Sequence, residues 1–415
     1  MRTWPRRAVL AAAAAFGPAW GMARASAPAA EDARALIDLI FENYAYRERL
    51  EGFPETRLRA LRDSADQVAS ARDLIGFGER ALAALFDHHA ILGSSRSDSY
   101  GLVPSYADLW IETRGGRYVV TDVRHASPAE AGGVRPGDHL AAVDGLAMTR
   151  AIARFIEAPA HALSAPQREV CARVLAAGRR DRPRTFTFTR GGRRRRLELA
   201  NLYAATIPRE GVLSAPALEG GVGLIRLNDS LGDDETIAAF AASMTRFADA
   251  RALILDLRDT PSGGNSSVAR GILAWFVDRP MPYQRHELTA ESLSTGVRRS
   301  WIEEVSPHGA RTCRGRVLVL VGRWTGSMGE GLAIGFDAIG ATVIGSPMAG
   351  LRGAVYDLAL PNTGLVLKLP VERLAHVDGR PREAYIPPVA VAHADARDAE
   401  GRDLALEAAL VQAAV

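Results

Sequence analysis

One serine of this chain lies in a turn of small residues between an apolar, strand-like run and a run with helical character. Residues 316–320 form the apolar run, and Ser327 stands in the turn between two glycines. Such a turn can lift a side chain clear of the backbone, and the amide of Met328 at a helix start can bind an anion. The pattern therefore predicts a nucleophile beside an oxyanion-binding amide. The structural alternative is a serine N-cap, with Glu330 completing a capping box.

Composition limits the domain count and the partners of the chain. A length of 415 residues predicts two or three domains, and an apolar content of 47% is typical of a globular protein. The formal net charge of +3 gives no indication of a nucleic-acid partner. Lys368 is the only lysine, which limits the choice of a catalytic base because arginine stays protonated. No motif indicates a phosphate loop, a dinucleotide site or a zinc cluster, so we expect no metal and no organic cofactor.

The first 27 residues have the pattern of an export signal. Three arginines lie within the first seven residues, residues 8–16 form a short apolar core, and residues 25–27 are a small-residue cleavage site. The pair Arg6-Arg7 fits twin-arginine export only loosely. No later stretch has the length and apolar character of a membrane span. We therefore expect an exported protein in a bacterial periplasm, with a mature chain that begins near Pro28.

Residues 28–95 carry apolar side chains at helical spacing, and we expect a helical segment that acts as a structural cap on the later domains. The segment closes with Asp87, His88 and His89. Adjacent histidines could bind a metal, but neighbours in a helix face different directions. A histidine near a helix C-terminus is also favoured by the helix dipole. The metal interpretation is therefore the weaker one.

Residues 96–203 change to strand-like alternation, with hairpin turns predicted at Gly115-Gly116 and at Gly191-Gly192. Between these turns, residues 127–145 combine a short helix, a Gly-Val-x-Pro-Gly-Asp turn and a Val-Asp-Gly hairpin, and this stretch resembles a PDZ domain. Such domains bind an extended peptide, usually a protein C-terminus, as an added strand. A predicted helical insertion at residues 151–178 leaves two alternatives, an accessible peptide groove or a domain used only for packing.

Residues 204–415 alternate apolar strands with helices, which predicts an α/β domain with a largely parallel central sheet. Functional residues of such sheets lie at the carboxyl ends of the strands. Ser327 follows one predicted strand end, and the loops 256–264 and 346–353 follow others. Strands are expected at residues 222–227, 252–257, 317–321 and 342–345.

Four features, in this order, resemble the C-terminal processing peptidases, also called tail-specific proteases. They are the PDZ-like stretch, the strand 222–227, the strand ending near Asp256 with its glycine turn, and the turn 325–330. The resemblance implies an exported serine peptidase with a PDZ domain before a ClpP/crotonase-like catalytic domain. It also implies Ser327 as nucleophile, with an oxyanion hole formed by the amide of Met328 and an amide of Gly263 or Gly264.

The general base is where this sequence departs from the family. The family has a lysine 25 positions after the serine, and Arg352 stands there instead. A guanidinium cannot take the serine proton, although it could bind a substrate carboxylate or the oxyanion. Lys368 is one replacement, since burial can lower the pKa of a lysine. Glu330 could orient a base. Related peptidases use a Ser–His pair supported by an acid, for which the candidate histidines are His286, His308 and His376.

Three functions are compatible with these residues. The first is an exported serine endopeptidase that cleaves polypeptides with Ser327 and a non-standard base. The alternative is a catalytically inactive peptide-binding or scaffold homologue, which the arginine at position 352 favours. An esterase would share the nucleophile, because fold does not determine reaction. The sequence does not indicate the substrate, the oligomeric state or whether Cys171 pairs with Cys313.

Overall fold

The structure is a computed structural model that describes residues 28–309 and 315–414. The predicted export signal, residues 1–27, and Cys313 lie outside these ranges, whereas Cys171 is buried. Within the described ranges, no helix combines the length and the apolar character needed to cross a bilayer.

The N-terminal segment is helical and ends in a short strand. Helix α3 begins after Ser70, whose hydroxyl accepts a hydrogen bond from the amide of Asp73 at 3.2 Å. This N-cap satisfies one of the amides that a helix start leaves without a partner. The elements are α1 (Pro28–Asn43), a 3₁₀ turn (Arg47–Leu50), α2 (Phe53–Asp63), a second 3₁₀ turn (Ala65–Gln67), α3 (Ala71–Ala83) and β1 (Ile91–Leu92).

The next segment forms an antiparallel sheet in the order β2-β3-β4-β6-β7, with β5 paired to β4. Both predicted hairpins are confirmed, and Gly115 and Gly116 adopt the positive φ values of 55° and 74° that a tight hairpin turn requires. The elements are β2 (Leu109–Arg114), β3 (Arg117–Val123), α4 (Pro128–Ala131), β4 (His139–Val143), β5 (Leu146–Ala147), α5 (Met148–Ile156), a 3₁₀ turn (Ala160–Ala162), α6 (Ala165–Ala177), β6 (Arg184–Arg190) and β7 (Arg193–Leu199).

Helix α6 covers the free edge of strand β2. The Glu169 carboxylate accepts a hydrogen bond from the amide of Thr113 at 2.8 Å, and Arg173 Nε donates to the carbonyl of Ile111 at 3.0 Å. These are backbone groups of an edge strand, which an added peptide strand would otherwise bind. In this conformation the edge is therefore occupied by side chains of the helix that the sequence predicted as an insertion.

The third segment contains a sheet in the order β18-β15-β14-β11-β10-β8, with β9 also paired to β10. Strands β10, β11, β14, β15 and β18 run parallel, and β8 and β9 are antiparallel to β10. This sheet's elements are β8 (Leu213–Ser214), β9 (Ala217–Leu218), a 3₁₀ turn (Glu219–Gly221), β10 (Val222–Leu227), α7 (Glu235–Arg246), β11 (Ala252–Asp256), α8 (Ser266–Leu273), β14 (Arg316–Val321), α10 (Met328–Ala338), β15 (Thr342–Gly345), β18 (Val389–Ala390) and α11 (Leu404–Ala414).

A second, antiparallel sheet was not predicted from the sequence. It has the order β1-β17-β12-β13, with β16 paired to β17. Its elements, with the helix and turn beside them, are β12 (Met281–Leu288), α9 (Thr289–Thr295), β13 (Ser300–Val305), β16 (Ala354–Ala359), β17 (Val366–Ala375) and a 3₁₀ turn (Arg382–Ala384). Helices α1 and α3 share one apolar core with β17, in which Leu36 and Phe77 join Leu367 and Leu369. The N-terminal segment is thus built into this sheet, because β1 also pairs with β17.

A buried ion pair holds the sheet of residues 109–199 together. Arg184 and Asp108 are 2% and 0% exposed, and Arg184 Nη2 lies 2.9 Å from the Asp108 carboxylate. The same carboxylate accepts a hydrogen bond from the amide of Ala129 at 3.0 Å. Removing one member of such a pair leaves an uncompensated buried charge, which is far more costly than losing a surface pair.

We predict that Asp108→Ala lowers the free energy of unfolding by about 3–5 kcal/mol, because the Arg184 guanidinium then loses its buried counter-charge. The matched control is Glu55→Ala, which removes an exposed i,i+4 partner of Arg59 and should cost less than about 0.5 kcal/mol. Equilibrium unfolding in urea checks both variants. Equal losses in the two variants would contradict the role given to the buried pair.

Candidate active site

Ser327 lies at the carboxyl end of β14, directly before α10. Its φ of 50° is unusual for a residue with a side chain, and such strain persists only where the surroundings enforce it. The turn is held against the end of β11, since the Thr260 amide donates to the carbonyl of Trp324 at 3.1 Å and the Gly326 amide donates to the carbonyl of Thr260 at 3.1 Å. Two parallel strand ends thus meet at the serine.

Gly263 lies against the serine from the β11 side. A Cβ atom on Gly263 would lie 2.5 Å from Ser327 Cβ, so only glycine permits this approach, and its φ of 68° also suits glycine. The Gly263 amide already donates to the carbonyl of Thr260 at 3.2 Å. Gly264 and Met328 have amides without a hydrogen-bond acceptor among the described residues. Of the amides that the sequence proposed, these two are free for an oxyanion.

The imidazole of His89 contacts the serine hydroxyl. His89 Nε2 lies 2.9 Å from Ser327 Oγ, and His89 Nδ1 lies 2.6 Å from the backbone carbonyl of Arg352. A carbonyl can only accept, so Nδ1 carries the proton and Nε2 offers its lone pair to the serine O–H. This tautomer is the one that a general base needs.

A hydrogen bond to the side chain of Asp87 fixes the backbone of His89. The Asp87 carboxylate accepts the amide of His89 at 3.0 Å and the hydroxyl of Tyr44 at 2.7 Å. Burial and the positive charge of Arg382 lower the pKa of His89 to about 4. The imidazole is therefore neutral, and able to accept a proton, over the whole neutral pH range.

The carboxylate of Glu330 connects Ser327 to the loop that carries residue 352. It accepts hydrogen bonds from the amide of Ser327 at 2.8 Å, of Gly350 at 2.9 Å and of Leu351 at 3.2 Å. Glu330 is fully buried, and burial raises the pKa of its carboxyl to about 7 against the opposing charge of Arg382. The sequence predicted a cap or an orienting role, and the carboxylate does contact the Ser327 amide.

Lys368 is not in a position to act as the base. Its ammonium donates to both carboxylate oxygens of Asp357, at 2.7 and 3.0 Å, and its side chain is 36% exposed. Asp357 faces it across the pair β16–β17, so the strand pairing directs the ammonium to its carboxylate partner. Lys368 is therefore not buried, and it forms no hydrogen bond with Ser327.

The three histidines that the sequence proposed also lie elsewhere. His286 bonds to Glu303 and Glu372 in the second sheet, His308 stacks on Trp275, and His376 lies near Asp337 and Asp378. None of them contacts Ser327. For His89 the sequence suggested a metal ligand or a histidine favoured by a helix dipole, and its contact with Ser327 was not predicted. The available signal was the Asp-His-His motif at the end of the helical segment.

Arg352 contacts His89 through its backbone carbonyl and not through its side chain. Its carbonyl orients His89, while its guanidinium lies 3.9 Å from the carboxylate of Asp87. The carbonyls on either side of it, those of Leu351 and Gly353, accept hydrogen bonds from the buried guanidinium of Arg382 at 3.0 and 2.8 Å. A change of side chain at position 352 therefore leaves the contact with His89 in place.

No group of metal-binding side chains occurs among residues 28–309 and 315–414. The weaker interpretation of His88 and His89 as a metal site has no support in the geometry, because both ring nitrogens of His89 are already engaged.

Part of this chain matches a known peptidase family, and its fold is similar to solved structures. Residues 221–390 match the family model described as Peptidase family S41. The solved structure of the photosystem II D1 C-terminal processing protease has a TM-score of 0.55 at 17% identity, over 88% of this chain and 93% of that chain. The structure of mature CPAF in complex with lactacystin has a TM-score of 0.57 at 17% identity, over 88% of this chain and 94% of that chain. A search of curated proteins finds no match.

A lipoprotein from Streptococcus agalactiae is a third structural neighbour. Its TM-score is 0.50 at 11% identity, over 93% of this chain and 96% of that chain. At such identities the structural likeness shows a shared fold. The resemblance to C-terminal processing peptidases that the sequence predicted is confirmed, and the assignment to the serine-type peptidases is confirmed with it.

The raised pKa of Glu330 predicts a pH-dependent contribution to stability. Between the ordinary value of 4.5 and about 7, the folded chain keeps a proton on Glu330 that the unfolded chain has lost. The contribution is fully present below 4.5 and is lost as the pH rises through about 7, with a slope of at most about 1.4 kcal/mol per pH unit. Glu330→Gln cannot titrate, so the difference in unfolding free energy between wild type and this variant should change across that window.

Urea unfolding at a series of pH values measures this difference. Leu293→Ala, an exposed substitution without a titrating group, is the control and should differ from wild type by a constant amount. Parallel curves for wild type and Glu330→Gln would contradict the assignment.

Proposed function

We propose that this protein is a serine endopeptidase of the C-terminal processing type that uses a Ser327–His89 pair. The match of residues 221–390 to peptidase family S41 supports the reaction class. The observation that carries this proposal is the 2.9 Å contact between Ser327 Oγ and His89 Nε2. The contact supplies the base that the arginine at position 352 cannot supply.

In the proposed reaction, His89 Nε2 takes the proton of Ser327 while Oγ attacks a peptide carbonyl. The amides of Met328 and Gly264 bind the resulting oxyanion, and the positive end of helix α10 favours the negative charge. The carbonyl of Arg352 stabilises the imidazolium through Nδ1–H. His89 then gives its proton to the leaving amine, and a water molecule, activated by the same imidazole, hydrolyses the acyl-enzyme.

The inactive-scaffold alternative depended on the loss of the lysine base. The neutral imidazole of His89 beside Ser327 removes that argument. Binding of a peptide as a strand added to residues 96–203 is a weaker proposal for this conformation, because Glu169 and Arg173 occupy the edge of β2. We therefore assign the PDZ-like domain a packing role beside the catalytic domain.

Export to a bacterial periplasm belongs to the same proposal. It is supported by the charge and apolar pattern of residues 1–27. The substrate class is a polypeptide, as the family implies.

We expect Ser327→Ala to abolish cleavage of an unstructured protein such as casein. We expect His89→Ala to lower kcat/KM by about 10²–10⁴, the usual contribution of a general base. The control is Lys368→Ala, which removes only an ion pair with Asp357 and should leave kcat/KM within about twofold of wild type, as expected of a surface pair. A discontinuous peptide-release assay measures all three.

Full activity of His89→Ala would show that another residue is the base. Loss of activity in Lys368→Ala, with an unchanged far-UV circular dichroism spectrum, would show the same. An inert wild-type protein would instead reject the peptidase proposal and restore the scaffold alternative.

The pH profile gives an independent test of the base. Because burial and Arg382 lower the pKa of His89 to about 4, the imidazole stays neutral until the pH falls to that value. We expect kcat/KM to decline on the acid side with an apparent pKa well below the 6.5 of ordinary histidine. Steady-state kinetics in overlapping buffers between about pH 3.5 and about pH 8 would measure this decline of kcat/KM. Because Glu330 has a pKa of about 7, Glu330→Gln is measured beside wild type, and a midpoint near 6.5 in both would contradict the buried position of His89.

A further inference from the structure

A cavity of about 300 Å³ opens between the PDZ-like domain, the linker after it and the parallel sheet. Its walls come from residues 124–126, the linker residues 207–210, the ends of β10 and β11, and residues 395–397. Ser327 and His89 are not among its lining residues. Five arginines line it: Arg124, Arg209, Arg226, Arg258 and Arg397.

Most acidic groups in this wall are already engaged. Asp259 is held between Arg124, at 2.7 Å, and Arg209, at 2.8 Å. Asp395 accepts the amide of Arg323 at 2.6 Å, and burial, with the nearby charge of Asp122, raises the pKa of its carboxyl well above the ordinary value. The remaining carboxylate of the lining, Glu210, is exposed to solvent. Behind the lining, Arg258 pairs with Asp256 and with Asp403, each at 2.8 Å, and Arg397 also pairs with Asp403. Arg226 is therefore the lining arginine that has no ion-pair partner among the described residues.

One cationic group in the wall has all of its donors free. The half-buried guanidinium of Arg226 forms no ion pair and no hydrogen bond with any described residue. Donors that are withdrawn from water without acceptors are costly, so native proteins rarely leave them unpaired. A free guanidinium beside an open space indicates a negatively charged ligand.

We propose that this cavity binds a small oxyanion, a phosphate or carboxylate group, with Arg226 as its principal contact. The planar fork of a guanidinium matches two oxygens of either group. The ligand would be either free inorganic phosphate or the terminal carboxylate of a peptide, and the two share the chemistry that the arginines recognise. The site does not depend on catalysis.

The cavity wall is joined to the turn that lies against the nucleophile. Arg209 contacts Asp259, and it also lies 3.4 Å from Asp229. Asp229 in turn accepts hydrogen bonds from the amide and the hydroxyl of Ser262, both at 2.8 Å, directly before Gly263. Asp229 and Ser262 thus link Arg209 to Gly263. An anion bound to Arg209 would be connected to the glycine turn through these two residues.

The test is isothermal titration of the full chain carrying Ser327→Ala, so that no ligand is consumed. The ligands are inorganic phosphate, N-acetyl-Ala-Ala and the amide of N-acetyl-Ala-Ala, each against sodium chloride of equal ionic strength. Arg226→Gln should weaken binding at least about tenfold, as expected for a lost charge-assisted pair. Arg194→Gln, the same charge change on an exposed residue of β7, should leave the Kd unchanged.

Binding of phosphate assigns the site to inorganic anions, and binding of N-acetyl-Ala-Ala but not of its amide assigns it to a peptide carboxylate. No binding above the chloride control overturns the proposal. An equal loss of affinity in Arg226→Gln and Arg194→Gln also overturns it, because general surface charge would then explain the binding. Should Arg226→Gln fail to fold, Arg226→Lys replaces it, because lysine keeps the charge but lacks the planar fork, and it should also weaken binding. These outcomes do not depend on whether the protein is a peptidase.

Discussion

The buried carboxylate of Glu330 is the interaction on which the reactive centre depends. Its two carboxylate oxygens accept hydrogen bonds from the amide of Ser327, which lies in a strained turn, and from the amides of Gly350 and Leu351. The next carbonyl along that loop, that of Arg352, orients His89. Ser327 and His89 are thus positioned through the side chain of Glu330, and three backbone donors offset the cost of burying that side chain.

The centre is assembled from segments that are far apart in the chain. The parallel sheet brings the ends of β11 and β14 together, which sets Gly263 against Ser327. The antiparallel sheet positions the other side of the site, because β1 pairs with β17 and this pairing fixes the chain just before β1. His89 lies in that stretch, two residues before Ile91, whose partner is Lys368. The two sheets therefore position Ser327 and His89 separately.

The sequence was most informative where the deciding interactions are local. Four of the five parallel strands, both glycine hairpins and the serine turn follow from apolar runs and turn residues, and the structure contains all of these. The short parallel strand β18 was not predicted. The second sheet escaped prediction because its strands join parts of the chain that lie far apart, and pairings of this kind leave no local period. Lys368 illustrates the limit: its apolar neighbours suggested burial, but the register of β16 places Asp357 opposite it.

The base also shows why one position in a family pattern is a poor guide to activity. Where the family has a lysine, this chain uses only the backbone carbonyl of Arg352, a group that every residue carries. In the proposed mechanism the base is His89, which lies outside the matched residues 221–390. The catalytic unit of that mechanism is therefore larger than the matched domain. The N-terminal helices share a core with β17, and under the same proposal they support the segment that carries His89 instead of only covering the domain.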